Sequence, residues 1–235
     1  MAVVFSPIDD SELSGPFRPL PGCAFLMMHS SEDVAPVEKK IEDAINKTLK
    51  AEGFTTTKAA LKYTSKDYLQ KIIQMIRGCG FAVAIFSEFT PATTLANIFF
   101  EIGICYILGK EVVLVKTKDA PPPSDFVRTE WIEFDSDKPK KFESDILKVC
   151  KTMKEAADYN YDLGDIAFSA AEEDLELAFE RFKQSVLLTN HGPAKAKIRA
   201  MAEYISSLSA QSTPARNYLR RITQAINEFL GLVPN

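Results

Sequence analysis

The 235-residue sequence is poor in the residues that announce metal or disulfide chemistry, with two histidines, four cysteines and one tryptophan. His29 and His191 are too few to build a histidine-rich zinc site, and no metal is expected. Cys23, Cys79, Cys105 and Cys150 are widely spaced, with neither CxxC metal spacing nor the density of a small disulfide framework. Reduced thiols in a cytoplasmic protein are therefore expected. Long hydrophobic runs are missing as well, none reaching the roughly 20 residues that cross a bilayer. The start, MAVVFSPIDDSELSGPFRPLPG, lacks the basic region and apolar run of a signal peptide, so no membrane association is expected. An excess of positive charge is also absent. The 28 Lys and Arg against 32 Asp and Glu leave a net charge of −4. That balance predicts neither direct nucleic-acid binding nor attraction to anionic membranes.

What is present is an alternation of two periods. Residues 1–22, rich in Pro, Ser and acidic residues, read as an irregular arm. CAFLMM (23–28) has strand length, and HSSED follows as a polar turn. From Val34 to Ala51 the positions Val34, Val37, Ile41, Ile45 and Leu49 recur at helical steps, with Gly53 closing the helix. FTTTKA (54–59) predicts a second strand, and Tyr68, Ile72, Met75 and Ile76 a second helix. FAVAIF (81–86) and EVVLVK (111–116) are continuous apolar runs of the kind buried on both faces of a parallel sheet. Between them lie the loop SEFTPATT (87–94) and an apolar helix carrying Glu101. TEWIEF (129–134) predicts a last, edge-like strand, and a helix over about 141–157 closes the unit.

This alternation predicts an α/β domain over 23–157, a flavodoxin-like five-stranded parallel sheet of order 2-1-3-4-5. Residues 158–235 contain no strand candidate and predict an all-helical extension of three helices, drawn from 165–188, 194–210 and 215–232. These helices suit homo-oligomerisation or binding of a regulatory protein.

In such a sheet, ligands bind beyond the carboxyl ends of the strands where the strand order reverses, here between strands 1 and 3. The loops expected there bring His29, Ser30, Ser87 and Glu88. Asn97 and Glu101, spaced i, i+4 on the next helix, share one face, and Glu101 is expected within that helix's first turns. A carboxylate among Phe, Ile and Leu is costly unless paired or used, which singles out Glu101 in FFEIGICYILGK (99–110).

Three stretches carry a resemblance. FLMMHSSED with its following helix, LANIFFEIGICYILGKEVVLV, and PPPSDFVRTEWIEF together resemble the TIR-like and nucleoside 2-deoxyribosyltransferase-like N-glycosidase superfamily over roughly residues 23–150. The resemblance implies that Glu101 is the catalytic carboxylate for cleaving a ribosyl–base bond. It implies substrate contacts at Asn97, Ser30, His29, Ser87 and Glu88, with NAD or a related nucleotide as substrate and no separate cofactor. It also implies a setting such as bacterial antiphage defence. The sequence departs from the pattern in two places. Those families place an Asp just after strand 3, where this chain has IFSEFT, and their Asn-Pro-Asn becomes Leu95-Ala96-Asn97. The departures keep open a nucleotide-sensing module without catalysis, and a TIR-like assembly scaffold.

Each candidate also has a plain structural reading. Glu101 can be a carboxylate paired with a lysine, Asn97 a hydrogen-bonder at a helix start, and His29 an ordinary loop residue. Ser31 suits the cap of the first helix. Lys110, at a helix C-terminus where a cation complements the dipole, reads as structural.

Overall fold

The apolar runs without polar alternation become the inner strands of one sheet. In the computed structural model, which describes residues 17–29, 34–59, 68–122, 130–169, 174–208 and 213–233, every residue of β1 (Cys23–Met27) and β3 (Phe81–Phe86) is buried. Such complete burial belongs to strands covered on both faces. β4 (Val112–Thr117) lies beside β3, while the threonine-rich β2 (Thr55–Lys58) and the short β5 (Ile132–Phe134) form the two edges. All neighbours are parallel and the order is β2-β1-β3-β4-β5, with Leu26 opposite Val83 and Val83 opposite Val113. The expected fold class and strand order are those found.

Three helices connect the strands: α1 (Pro36–Ala51), α2 (Tyr68–Gly78) and α3 (Ala92–Ile107). α1 leads from β1 outward to β2, and α3 leads from β3 the opposite way to β4. Right-handed crossovers therefore place α1 and α3 on opposite faces of the sheet. Ser31, expected as the cap of α1, lies outside the described residues. The N-cap of α1 is Ala35, without a side-chain bond, and Pro36 begins the helix because its fixed φ already suits the first helical position.

α1 and α3 end alike. Gly53 and Gly109 adopt φ of 87° and 64°, where a side chain would be strained. In each case the next amide reaches back across the last turn, Phe54 N–H to the Leu49 carbonyl at 2.9 Å and Lys110 N–H to the Cys105 carbonyl at 2.8 Å. The buried Lys110 donates its Nζ to the Cys79 carbonyl at 2.7 Å, a structural role.

α4 (Pro139–Ser169) is longer than the sequence reading allowed. No proline interrupts it, and the polar stretch taken for a boundary near residue 157 continues the helix. The chain divides into two compact units, Gly22–Thr152 and Met1–Pro21 with Met153–Asn235, and the division falls inside α4.

In the second unit, α5 (Leu175–Thr189), α6 (Gly192–Ser207) and α7 (Thr213–Leu232) follow. Phe179, Phe182 and Val186, then Ile198, Met201 and Ile205, then Ile222, Ile226 and Phe229 interdigitate at helical spacing, with Phe17 packed against them. Asp174 caps α5 by accepting the Leu177 N–H at 2.9 Å. His191 caps α6, its Nδ1 accepting the Ala194 N–H at 3.3 Å and its Nε2 lying 3.1 Å from Asp158. α4 and α5 meet closely at Gly164, where a Cβ would fall 2.7 Å from the ring of the fully buried Phe182. Among the described residues no helix is long and apolar enough to cross a membrane.

Candidate active site

The carboxyl edge between β1 and β3 is organised by a residue the sequence reading passed over. Glu38, in the first turn of α1, is 1% exposed and reaches the end of β3. Its Oε1 accepts hydrogen bonds from Ser87 Oγ and Thr90 Oγ1, each at 2.5 Å. Both hydroxyls are themselves fed by backbone amides. Phe89 N–H donates to Ser87 Oγ at 3.1 Å, and Ser87 N–H donates to Thr90 Oγ1 at 2.9 Å. The other carboxylate oxygen, Oε2, is buried and has no hydrogen-bond partner among the described residues. His29 Nδ1 stands 4.0 Å from it, beyond hydrogen-bond range.

This arrangement brings Ser87 and His29 together through Glu38. Ser30 lies outside the described residues. Glu88 turns elsewhere: exposed at the edge, it accepts the Thr117 hydroxyl of β4 at 2.5 Å. Thr90 and Glu38 were missed, yet Glu38 carried a signal. It precedes Ile41 by three residues and Ile45 by seven, so helical spacing puts it on the buried face where an apolar residue was expected. Val37, the expected core position, is only partly buried.

Glu101 sits differently. α3 begins at Ala92, immediately after Pro91, so the loop 87–94 is shorter than expected and Glu101 is nine residues into the helix. At 1.5 Å per residue that is roughly 14 Å along the axis, in the third turn and deeper than expected. The early start of α3 follows from Pro91, which has no N–H to lose and is set at φ −60°, so it suits the helix entry.

Glu101 is half-buried on the flank of α3 next to the buried Ile98, Ile102 and Cys105. Among the described residues its carboxylate has neither a hydrogen bond nor an ion pair, so no described lysine pairs with it. Burial alone pushes its pKa up to about 7. The Cys105 thiol one turn further on is pushed up to about 12, first by burial and then by the charge of Glu101. Asn97, one turn earlier, is exposed and lies mid-helix, so it is not at a helix start. Among the described residues no group of three or more His, Cys, Asp or Glu is placed to hold a metal ion.

No protein-family model and no curated protein matches the chain. Among solved structures it is similar to the Clostridium botulinum CMP N-glycosidase BcmB, with 18% identity, coverage of 53% of this chain and 98% of that chain, and a TM-score of 0.35.

Proposed function

We propose that the α/β unit hydrolyses the N-glycosidic bond of NAD or a related nucleotide, with Glu101 as the catalytic carboxylate. One observation carries this reading: Glu101 is a carboxylate with no hydrogen bond or ion pair among the described residues, its pKa pushed up to about 7 by burial. A folded protein tolerates so costly a group where it is used. Ionised and weakly solvated, the carboxylate stabilises the positive charge that builds on the ribose ring as the C1′–N bond breaks. The electron pair of that bond leaves with the base. In NAD the departing nitrogen is cationic, so nicotinamide leaves neutral and needs no proton. Water then adds to C1′ and Glu101 accepts its proton.

The depth of Glu101 along α3 favours a second reading, in which the edge between β1 and β3 binds a nucleotide without cleaving it. A product assay separates the two. Concentrated protein is incubated with NAD, CMP and a panel of nucleosides beside Glu101→Gln, and released base is followed by chromatography. Release by the parent and not by the variant supports the glycohydrolase. Equal release by both removes Glu101 from the chemistry, and binding without release by either leaves the sensing module.

A further inference from the structure

We propose that Glu38 is a ligand-binding residue whose Oε2 accepts a hydrogen bond from a ribose hydroxyl. The inference rests on the reading that the β1–β3 edge takes a nucleotide, and it concerns a residue outside the proposed cleavage step.

The argument starts from the asymmetry of the carboxylate. Two hydroxyls converge on Oε1, each held in direction by a backbone N–H, so the carboxylate plane is fixed. Among the described residues Oε2 accepts no hydrogen bond although it is buried, and His29 Nδ1 approaches it only to 4.0 Å. A device whose whole purpose was to tether the β3–α3 connection to α1 would need only one neutral acceptor. A glutamine or asparagine supplies that without burying a carboxylate. Buried acceptors are nearly always satisfied, and an exception calls for an explanation.

The position supplies one. Glu38 lies at the edge where the connections leaving the neighbouring strands β1 and β3 turn to opposite faces of the sheet, the crevice in which doubly wound sheets bind their ligands. A carboxylate oxygen takes only donors, and a fixed one recognises a hydroxyl in a set direction. A ribose ring brings two vicinal hydroxyls to such a crevice. His29, which is 18% exposed, is the neighbour that turns aside to admit one of them to Oε2.

The test is equilibrium binding in a Glu101→Gln background, which prevents turnover. AMP and CMP are titrated calorimetrically, each beside its 2′,3′-dideoxy form. The expected result is that the ribose form binds at least about tenfold tighter, as for a hydrogen bond to a charged acceptor. Adding Glu38→Gln should collapse that preference at unchanged melting temperature. The amide oxygen can still serve Ser87 and Thr90, but an NH2 group then replaces Oε2. Ser87→Ala, which loosens the carboxylate while leaving Oε2 in place, should give an intermediate loss and stands in if the first variant does not fold. A preference that survives both substitutions, or absence of binding by AMP and CMP, overturns the proposal. Base release by the parent with a preference unmoved by Glu38→Gln would sink Glu38 alone. Glu38-dependent binding without any base release would sink the glycohydrolase alone.

Discussion

The first turn of α1 and the third turn of α3 each hold a carboxylate against apolar surroundings, and they treat it in opposite ways. Glu38 is almost fully enclosed, yet one of its oxygens receives two short hydrogen bonds. Glu101 is only half enclosed, yet receives none from the described residues. Burial therefore does not by itself measure how uncomfortable a carboxylate is. What counts is whether donors replace the water that was lost. At Glu38 two hydroxyls replace it. At Glu101 no described group does, and burial raises its pKa. On the proposed reading, the contrast separates a group fixed for recognition from a group left reactive.

The sharpest way to break this comparison is catalytic. Glu101→Gln should lower base release on the order of a thousandfold, read as initial rates with NAD. In the parent, kcat/KM should rise with pH up to about 7 and then level, because the ionised carboxylate is the working form. A flat profile across that range would detach Glu101 from the chemistry.

The next effects are on stability. Glu38→Ala should cost about 3 kcal/mol in urea unfolding, since it leaves two buried hydroxyls without their acceptor and opens a cavity. Glu101→Gln should act the other way, and its effect should depend on pH. A pKa raised from 4.5 to about 7 means that between those values the folded protein keeps a proton that the unfolded chain has lost. Stability of the parent accordingly falls as pH rises through this window, by about 3 kcal/mol once complete. The variant has no such slope, so it should be the more stable protein at pH 8 and no better at pH 4. The smallest effect belongs to Glu88→Gln, which changes an exposed carboxylate bonded to Thr117. A loss of about 0.5 kcal/mol or less is expected, and a larger one would show that the edge is less clearly divided between working and bystander acids.

Most of the sheet was legible in the sequence. The apolar runs at 81–86 and 111–116 state burial on both faces directly, and their alternation with helical periods leaves few topologies open. Boundaries were less legible because they depend on single residues whose effect is local. Pro36 and Pro91 set the true starts of α1 and α3, and the second puts Glu101 in the third turn, deeper than expected. The polar residues near 157 looked like a boundary but contain nothing that stops a helix, so α4 runs through them. Glu38 was hidden for a different reason. A glutamate in a helix's first turn is ordinary by composition, and its role comes from hydroxyls at 87 and 90 that only the fold brings to it.

The contact between Gly164 and Phe182 ties two distant letters of the sequence into a volume rule. With the ring fully buried and a Cβ at 164 falling 2.7 Å from it, neither position can grow alone. A chain that acquired alanine at 164 would need a smaller residue at 182 to keep this unit packed. The two sites are thus free to change only as a pair, and the history of one should be readable in the other.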